Sequence, residues 1–306
     1  MRATALLDAQ TTRFERVDAL LPQAAPPPDG HVVTAALPTG DRVAGVVTHS
    51  TFDPGTATTL WSALELWELH PLLGAAGGTG MDGLLREWRR LLDRRRTGTD
   101  SACLLTWPSR DAGAAKPLLS HGFVPLTSLA VRVGAPADPP RTEVTVRLAT
   151  EADLEVVLAL ELAELEYSAL VGAAVVRPDA ERIKRAALAR HVEQGDLIWV
   201  AEQDGVVAGV AHCRLMDVTS GGLTATRLRP GRWGYVNCVS VAEVARGTGI
   251  GRDLMAVAHH ELRRRGATST FLYFNPPNPL ASVFWARQGY RPLWTSWELR
   301  PASALR

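Results

Sequence analysis

Apolar residues recur along this chain with two different periods, and each change of period marks the passage from a strand to a helix. In the second half the predicted strands are residues 144–148, 197–203, 206–215, 235–241 and 270–274, and the predicted helices are residues 150–171, 178–194, 250–265 and 281–288. Asp204-Gly205 is typical of a tight hairpin, and we expect a closing hairpin after the last helix. The pattern predicts a mixed α/β (α+β) fold with a mostly antiparallel sheet flanked by helices.

The first half repeats this pattern in a shorter form. Residues 77–82 align with residues 246–251, and each segment follows an apolar strand and opens an amphipathic helix. Residues 121–126 and 288–293 also align, and each leads into a β-rich run. Because the matched elements keep their order, we predict two related domains, residues 1–134 and 144–306. A proline-rich linker, residues 135–143, would join them.

The net charge and the composition of the chain limit which classes of ligand and partner it is expected to bind. The chain of 306 residues has 33 Lys and Arg against 32 Asp and Glu, which predicts neither nucleic-acid binding nor attachment to a membrane surface. The three cysteines form no CxxC pair, and no cluster has metal-ligand spacing, so we expect buried thiols and no metal. No apolar run approaches 18 residues and no signal peptide is recognisable, which predicts a cytoplasmic protein, monomeric or homodimeric.

The segment Arg246-Gly247-Thr248-Gly249-Ile250-Gly251 lies between a predicted strand and a predicted helix. Glycines allow successive backbone N–H groups to approach an anion, and the helix N-terminus adds unpaired donors and a partial positive charge. A nucleotide-binding Walker loop requires Lys and Ser/Thr after its last glycine, whereas Arg252-Asp253 follows here. A dinucleotide site fits poorly, because the spacing is G-x-G-x-G and no acidic residue ends the next strand.

Two segments resemble signatures of the GNAT acetyltransferase superfamily. Residues 239–251 resemble its (Arg/Gln)-x-x-Gly-x-(Gly/Ala) motif, and residues 278–290 resemble its Asn-x-x-Ala-x₃-Tyr-x₃-Gly-(Phe/Tyr) motif. The resemblance extends over residues 144–300 and more faintly over 30–133, and it implies two tandem GNAT-like domains. It also implies an N-acetyltransferase that uses acetyl-CoA, or another acyl-CoA, as co-substrate and a small-molecule amine as acceptor. The implied CoA-binding residues are Val239, Val241, Arg246, Gly247, Thr248, Gly249, Ile250, Gly251, Arg252, Asn278 and Trp285.

Trp285 stands where the family has the tyrosine that would protonate the leaving thiolate. An indole N–H is a donor but no practical proton source. By the resemblance, Ser282 or Tyr290 would replace it, or the thiolate would leave without direct protonation. Trp285 could equally well be core packing.

The general base is also open. A period of two predicts that Tyr235, Asn237, Val239 and Val241 share one strand face toward the acyl group. This face offers Tyr235 and Asn237 as catalytic candidates but no carboxylate or histidine. Other candidates are Glu161, Glu164, Glu166 and His212, and a chain of water molecules is a further possibility.

The first copy lacks the residues that would hold CoA. Gly77 replaces Arg246, Asp82 replaces Gly251, and Ser109 replaces Asn278. A carboxylate at a pyrophosphate loop repels its ligand, so we expect a degenerate N-terminal domain and one working site. The main hypothesis is an N-acyltransferase, and the alternative is a non-catalytic acyl-CoA sensor or scaffold. In the loop at 217–233, Arg227, Arg229 and Arg232 could bind an acidic substrate group or the CoA 3′-phosphate, or be solvated.

Overall fold

The computed structural model describes residues 3–134, 141–220 and 222–305, so most of the predicted linker lies outside the described residues. The helices are α1 (Ala3–Val17), α2 (Gly77–Leu92), α3 (Ala112–Ser120), α4 (Leu154–Leu170), α5 (Ala180–Glu193), α6 (Ile250–Arg264) and α7 (Pro279–Arg287). The strands are β1 (His31–Ala36), β2 (Arg42–Thr51), β3 (Glu65–Leu72), β4 (Ser101–Pro108), β5 (Val124–Val133), β6 (Thr145–Leu148), β7 (Leu197–Gln203), β8 (Val206–Val218), β9 (Gly231–Val241), β10 (Ser269–Phe274) and β11 (Arg291–Leu299). No helix among these residues is long and apolar enough to cross a membrane.

Helix α6 shows how the local sequence determines an element. Gly249 precedes it with φ +97°, a left-handed conformation that glycine adopts without strain. Leu254, Ala258 and Leu262 recur at helical spacing and are fully buried against the sheet. Burial of each leucine contributes about 1.5–3 kcal/mol, so this apolar stripe fixes the helix on the sheet. Arg263 and Arg264 lie in the last turn, where they complement the negative end of the helix dipole.

All strands join one sheet of eleven strands in the order β1-β2-β3-β4-β11-β5-β10-β9-β8-β7-β6. Two pairs, β3 with β4 and β9 with β10, are parallel, and the other pairs are antiparallel. The predicted mixed α/β architecture with a mostly antiparallel sheet is therefore confirmed. Helix α6 packs on one face of the second half of the sheet, and α4 and α5 pack on the opposite face, here called the α4 face.

The two halves exchange their last strands. Strand β11 lies between β4 and β5, and β5 in turn pairs with β10. The predicted closing hairpin is therefore wrong: residues 291–299 form one long strand because both of its edges pair with strands of the first half. The Arg291 guanidinium also donates to the Asp18 carboxylate at the end of α1 (Nη2–Oδ1 2.9 Å). Division at residues 134 and 144 stays a prediction about sequence units.

Candidate active site

Strands β9 and β10 separate in the middle of the sheet. They pair from Trp233 and Ser269 only as far as Val236 and Leu272. Asn237 follows as the extra residue of a β-bulge, since His212 of β8 pairs with Cys238 and the next residue of β8 pairs with Val236. A bulge bends its strand, and the bend opens a gap between the remainder of β9 and the end of β10.

The bulge corrects the prediction that four alternate residues of β9 share a face. Tyr235 stacks on Phe271 (centroids 4.9 Å apart), and Asn237 Nδ2 lies 3.4 Å from His212 Nδ1, so both face the α4 side. Val239 and Val241 pack instead against the core beneath α6. An inserted residue shifts by one position the alternation of side chains between the two faces of the sheet. Tyr235 and Asn237 therefore lie on one face, and Val239 and Val241 lie on the other.

The backbone of β9 nonetheless lines the gap where the resemblance implies pantetheine binding. The N–H of Ala242 donates to the carbonyl oxygen of Ala208 in β8 (2.8 Å). Backbone groups alternate in direction along a strand, so the N–H and C=O of Val241 point toward β10. Arg246 Nε donates to this same carbonyl oxygen from the glycine loop (3.3 Å).

The glycine loop presents a run of free donors. Gly247 (φ +84°) and Gly249 (φ +97°) both adopt the left-handed conformation, and nothing lies within 4 Å of where a Cβ on Gly247 would stand. Within the described parts of the chain, the N–H groups of residues 247–252 have no hydrogen-bond acceptor. The side chain of Thr248 is occupied, because its Oγ1 donates to the carbonyl oxygen of Ala245 (2.8 Å). Ile250 is buried beneath the loop.

The two arginines of the loop have local partners. Arg246 lies over the ring of Tyr167 (5.7 Å to the centroid). Arg252 pairs with Asp253 and with Glu143 (both 3.1 Å), and these pairs raise the pKa of its guanidinium. The charge of Arg252 is thus offset by two carboxylates, whereas Arg246 has no carboxylate partner among the described residues and adds to the helix dipole, which favours an anion at the start of α6.

Helix α7 closes the other side of the gap. Asn278 caps the helix, since its Oδ1 accepts from the N–H groups of Leu280 and Ala281 (3.0 and 3.1 Å). Phe284 lies against Gly251, where a Cβ would meet its ring at 3.3 Å. Trp285 is buried and packs between Phe284 and Tyr290, as core packing predicts.

The hydroxyls of both proposed substitutes for the missing proton donor already form hydrogen bonds within the chain. Tyr290 is buried, and its hydroxyl bridges His259 Nε2 (2.9 Å) and Thr270 Oγ1 (2.8 Å), with its pKa raised by burial. Ser282 Oγ donates to the carbonyl oxygen of Pro276 (3.1 Å) and lines a separate cavity of about 380 Å³ beside β5 and β11. Each of these hydroxyls would have to give up an internal hydrogen bond before it could protonate a leaving thiolate.

Of the four candidate bases, two form a buried charged network. His212 is fully buried, with Nδ1 2.7 Å from Glu161 Oε1 and Nε2 2.9 Å from Asp196 Oδ2. Burial opposes protonation of His212, but these two carboxylates raise its pKa. Despite burial, His212 and Lys184 (Nζ–Oε2 3.0 Å) lower the pKa of Glu161 to about 2. Both residues are thus engaged in buried ion pairs, Glu161 with Lys184 and His212 with the two carboxylates.

Glu164 differs from the other candidates. Burial raises its pKa, its Oε1 accepts from Ser168 Oγ (2.7 Å), and it lies close enough to Tyr235 and Cys238 to affect their pKa values. Ser168 in turn lies 3.4 Å from Asn275, at the end of β10. Glu166 is exposed. Among these candidates, Glu164 therefore combines a raised pKa with a position at the gap.

The equivalent gap in the first half is filled by α1. Gln10 Nε2 donates to the carbonyl oxygen of Pro71 (3.1 Å), and Gln10 Oε1 accepts from the N–H of Leu73 (2.8 Å). Pro71 lies three residues beyond the last β3–β4 pair, as Val239 lies three residues beyond the last β9–β10 pair. No sequence signal indicated that a side chain would take the place of a ligand here.

The anion position of the first copy is also occupied. The Arg13 guanidinium lies within 3 Å of where a Cβ on Gly77 would stand, and it forms a bidentate pair with Asp111 (2.7 and 2.6 Å). Asp82 pairs with His121 (Oδ1–Nε2 2.9 Å), and Ser109 Oγ lies 2.8 Å from Thr295 Oγ1. The side chains at this position therefore form contacts within the chain instead of binding an anion.

One group in the described part of the chain could hold a metal ion by geometry, although the sequence analysis predicted no metal. It consists of His191, Asp196 and His212, whose ligand atoms lie within 4.8 Å of one another. Asp196 already accepts from Arg214 (3.0 Å) and bonds His212. The guanidinium supplies the positive charge that the carboxylate needs.

Comparisons with known proteins concern the fold of the whole chain and the sequence of its second half. No curated protein matches the sequence significantly. A GCN5-related N-acetyltransferase from Sphaerobacter thermophilus matches 98% of this chain and 93% of its own, at 15% identity and a TM-score of 0.58, which shows a common fold. A tandem GNAT protein from the clavulanic acid biosynthesis pathway matches 97% of this chain and 94% of its own, at 17% identity and a TM-score of 0.46. Residues 159–290 match the model of the Acetyltransferase (GNAT) family, so this part of the second half is similar to that family.

Proposed function

We propose that this chain is an acyl-CoA-dependent N-acyltransferase that transfers an acetyl group from acetyl-CoA to a primary amine of a small molecule. The amine would attack directly in a ternary complex in the second half of the chain. The observation that carries the proposal is the gap between β9 and β10, which ends at the free N–H groups of residues 247–252. Cytoplasmic location and a monomeric or homodimeric state remain part of the proposal.

The residues at the gap fit acetyl-CoA, which would supply an activated acetyl thioester. The N–H groups of residues 247–252 would bind the pyrophosphate, with Arg246 and Arg252 beside them. The backbone of Val239 and Val241 would hold the pantetheine amides and direct one N–H at the thioester oxygen. Asn278 and Trp285 would support this arm through α7, the first by capping the helix and the second by packing beneath it.

Glu164 is the general base in this proposal. A primary amine must lose a proton to attack productively, and a carboxylate with a raised pKa binds that proton better than an ordinary one. Tyr235 and Asn237 line the same face and would orient the acceptor. Because the hydroxyls of Ser282 and Tyr290 already have internal partners, the proposal has the thiolate leave without direct protonation by a side chain.

The activity test is thiol release from acetyl-CoA across a panel of primary amines. We expect steady release that depends on both substrates, and mass spectrometry should find the N-acetylated amine. Tight acetyl-CoA binding without turnover on any amine would instead support a non-catalytic sensor or scaffold. The observation that favours this alternative is the buried Trp285, which stands where a proton donor would be expected.

Glu164→Gln should reduce kcat by roughly 10²- to 10⁴-fold, the usual contribution of a general base. In the unchanged protein, kcat/KM should rise with pH through the pKa of Glu164, which burial places above the ordinary value of 4.5. The variant should lose this limb of the profile and retain its affinity for acetyl-CoA. Glu166→Gln, two residues away and exposed, is the matched control. Equal rates in both variants would reject Glu164 as the base.

Gly249→Asp should weaken acetyl-CoA binding by at least tenfold, because several donor contacts of roughly 1.5–3 kcal/mol each would be disturbed. The new carboxylate would stand at the N-cap of α6, where it would repel the pyrophosphate and accept its N–H donors. Calorimetry measures the effect. Gly40→Asp imposes the same left-handed strain (φ +86°) in a distant open turn and should leave the affinity unchanged.

The chain should bind one acetyl-CoA, at the second half only. Three adverse replacements in the first copy, at even about 1.4 kcal/mol each, would weaken binding there by roughly a thousandfold. Gln10 and Arg13 additionally fill the groove. Asp82→Gly alone should not create a second site. Calorimetric stoichiometry checks both statements, and two equivalent sites per chain would contradict them.

A further inference from the structure

Arg227 belongs to the loop between β8 and β9 and lies half-buried over the middle of the sheet. Its guanidinium stacks on the Trp294 ring (4.9 Å from Cζ to the centroid), and its carbonyl oxygen accepts from Trp294 Nε1 (2.8 Å). Across residues 3–134, 141–220 and 222–305, the guanidinium itself has neither a hydrogen bond nor an ion pair. The loop is therefore anchored by its backbone, while its cationic group remains available.

The other two arginines of this loop are engaged. Arg229 Nε donates to the carbonyl oxygen of Leu21 (3.4 Å), and Arg232 pairs with Asp217 (3.7 Å) on the surface. An arginine stays charged in any protein environment, and a half-buried guanidinium without acceptors loses hydration that nothing replaces. Among the three arginines of this loop, Arg227 is therefore the one whose guanidinium has no hydrogen-bond acceptor among the described residues.

The groups that face Arg227 come from both halves. Glu68 and His70 approach from β3 and Tyr273 from β10, each close enough to interact electrostatically. Burial lowers the pKa of Arg227, while Glu68 and Tyr273 oppose this change. Glu68 forms no ion pair with Arg227 within 4 Å, and burial raises the pKa of its carboxyl group. Glu68 therefore compensates the charge of Arg227 only partly.

Two tyrosines, Tyr273 and Tyr235, link Arg227 to the candidate base by successive contacts. Tyr273 lies beside Tyr235 (centroids 6.2 Å apart, at 80°), and Tyr235 lies within electrostatic range of Glu164. All of these side chains stand on the α4 face, at or beside the separation of β9 and β10. An acceptor lying across the two tyrosines would bring one end to Glu164 and the other to Arg227.

We infer that the acceptor carries a carboxylate and that Arg227 binds it, so that the preferred substrate is an amino acid or a similar amino-carboxylate. The inference rests on the proposed function, because it places the attacking amine at Glu164. Arginine matches carboxylate geometry with two parallel hydrogen bonds. Strand β3 of the first half, together with Trp294, would surround this end of the substrate.

The test compares Arg227→Gln with the unchanged protein on matched acceptors: β-alanine, 4-aminobutyrate and 5-aminopentanoate, each beside its carboxamide. The unchanged protein should favour the acids. Arg227→Gln should raise KM for the acids by roughly 10- to 100-fold, the effect of losing a charged hydrogen-bond pair, and should leave KM for the carboxamides and for acetyl-CoA unchanged. Arg227→Lys should recover part of the loss, and Arg232→Gln is the matched control.

Several results would overturn the inference. One is an equal effect of Arg227→Gln on acids and carboxamides. Another is a raised KM for acetyl-CoA but not for acetyl-dephospho-CoA, which would assign Arg227 to the 3′-phosphate. A third is the same loss in Glu68→Gln, which would make Glu68 and Arg227 a structural pair.

Failure of the proposed function is a separate result. If no amine is acetylated, calorimetry with glutarate on the CoA-bound protein takes the place of kinetics. Binding that Arg227→Gln weakens at least tenfold, and Arg232→Gln does not, would uphold the carboxylate site without the activity. Binding that is absent, or equal in both variants, would reject it.

Discussion

Two parallel strands that separate inside a sheet leave backbone N–H and C=O groups without partners, and such groups are costly to bury unpaired. This constraint arises twice here, at the ends of β3 and of β9. In the first half a side chain satisfies these backbone groups. The amide of Gln10 donates to the carbonyl oxygen of Pro71 and accepts from the N–H of Leu73, as a neighbouring strand would. In the second half the gap stays open, and the features of the proposed site follow from that opening.

The helices beside the two gaps also pack more closely in the first half than in the second. In the first half a Cβ on Gly78 would stand 2.3 Å from the carbonyl oxygen of Gly113, so α2 and α3 are in backbone contact. In the second half a Cβ on Gly251 would stand 3.3 Å from the Phe284 ring, so α6 and α7 meet through a side chain rather than through backbone. The gap is thus closed in the first half and accessible in the second. The closed copy gains packing, and the accessible copy keeps unpaired donors that only a ligand can satisfy.

The sequence predicted those features that depend on local pattern. Strand β7 has its predicted limits, and α6 begins at Ile250 as the glycine loop indicated. The bulge at Asn237 was not predictable, since it depends on the register between β8 and β9 rather than on either strand alone. Burial of Tyr290 was missed for a similar reason, because its partners His259 and Thr270 come from separate elements.

The position of β11 could not be read from its own residues either. Its buried apolar residues are typical of a central strand in either half. The pattern does not indicate which strands pair with it. The filling of the first gap depended on α1, whose residues carry no signal for the contacts they make. Local periodicity therefore determines which elements form, whereas the site depends on which elements meet.

The exchange of strands also has a consequence for the order in which this protein can fold during synthesis. Domains usually fold as units, the N-terminal one first, as the chain emerges from the ribosome. Here β4 and β5 are made early but enclose a place that β11, made after every other strand, must occupy. The first half must therefore wait with two strand edges exposed, a state in which unpaired edges attract other chains. Separately encoded halves would have to find each other in this state, and fusion into one chain replaces that encounter with an intramolecular one.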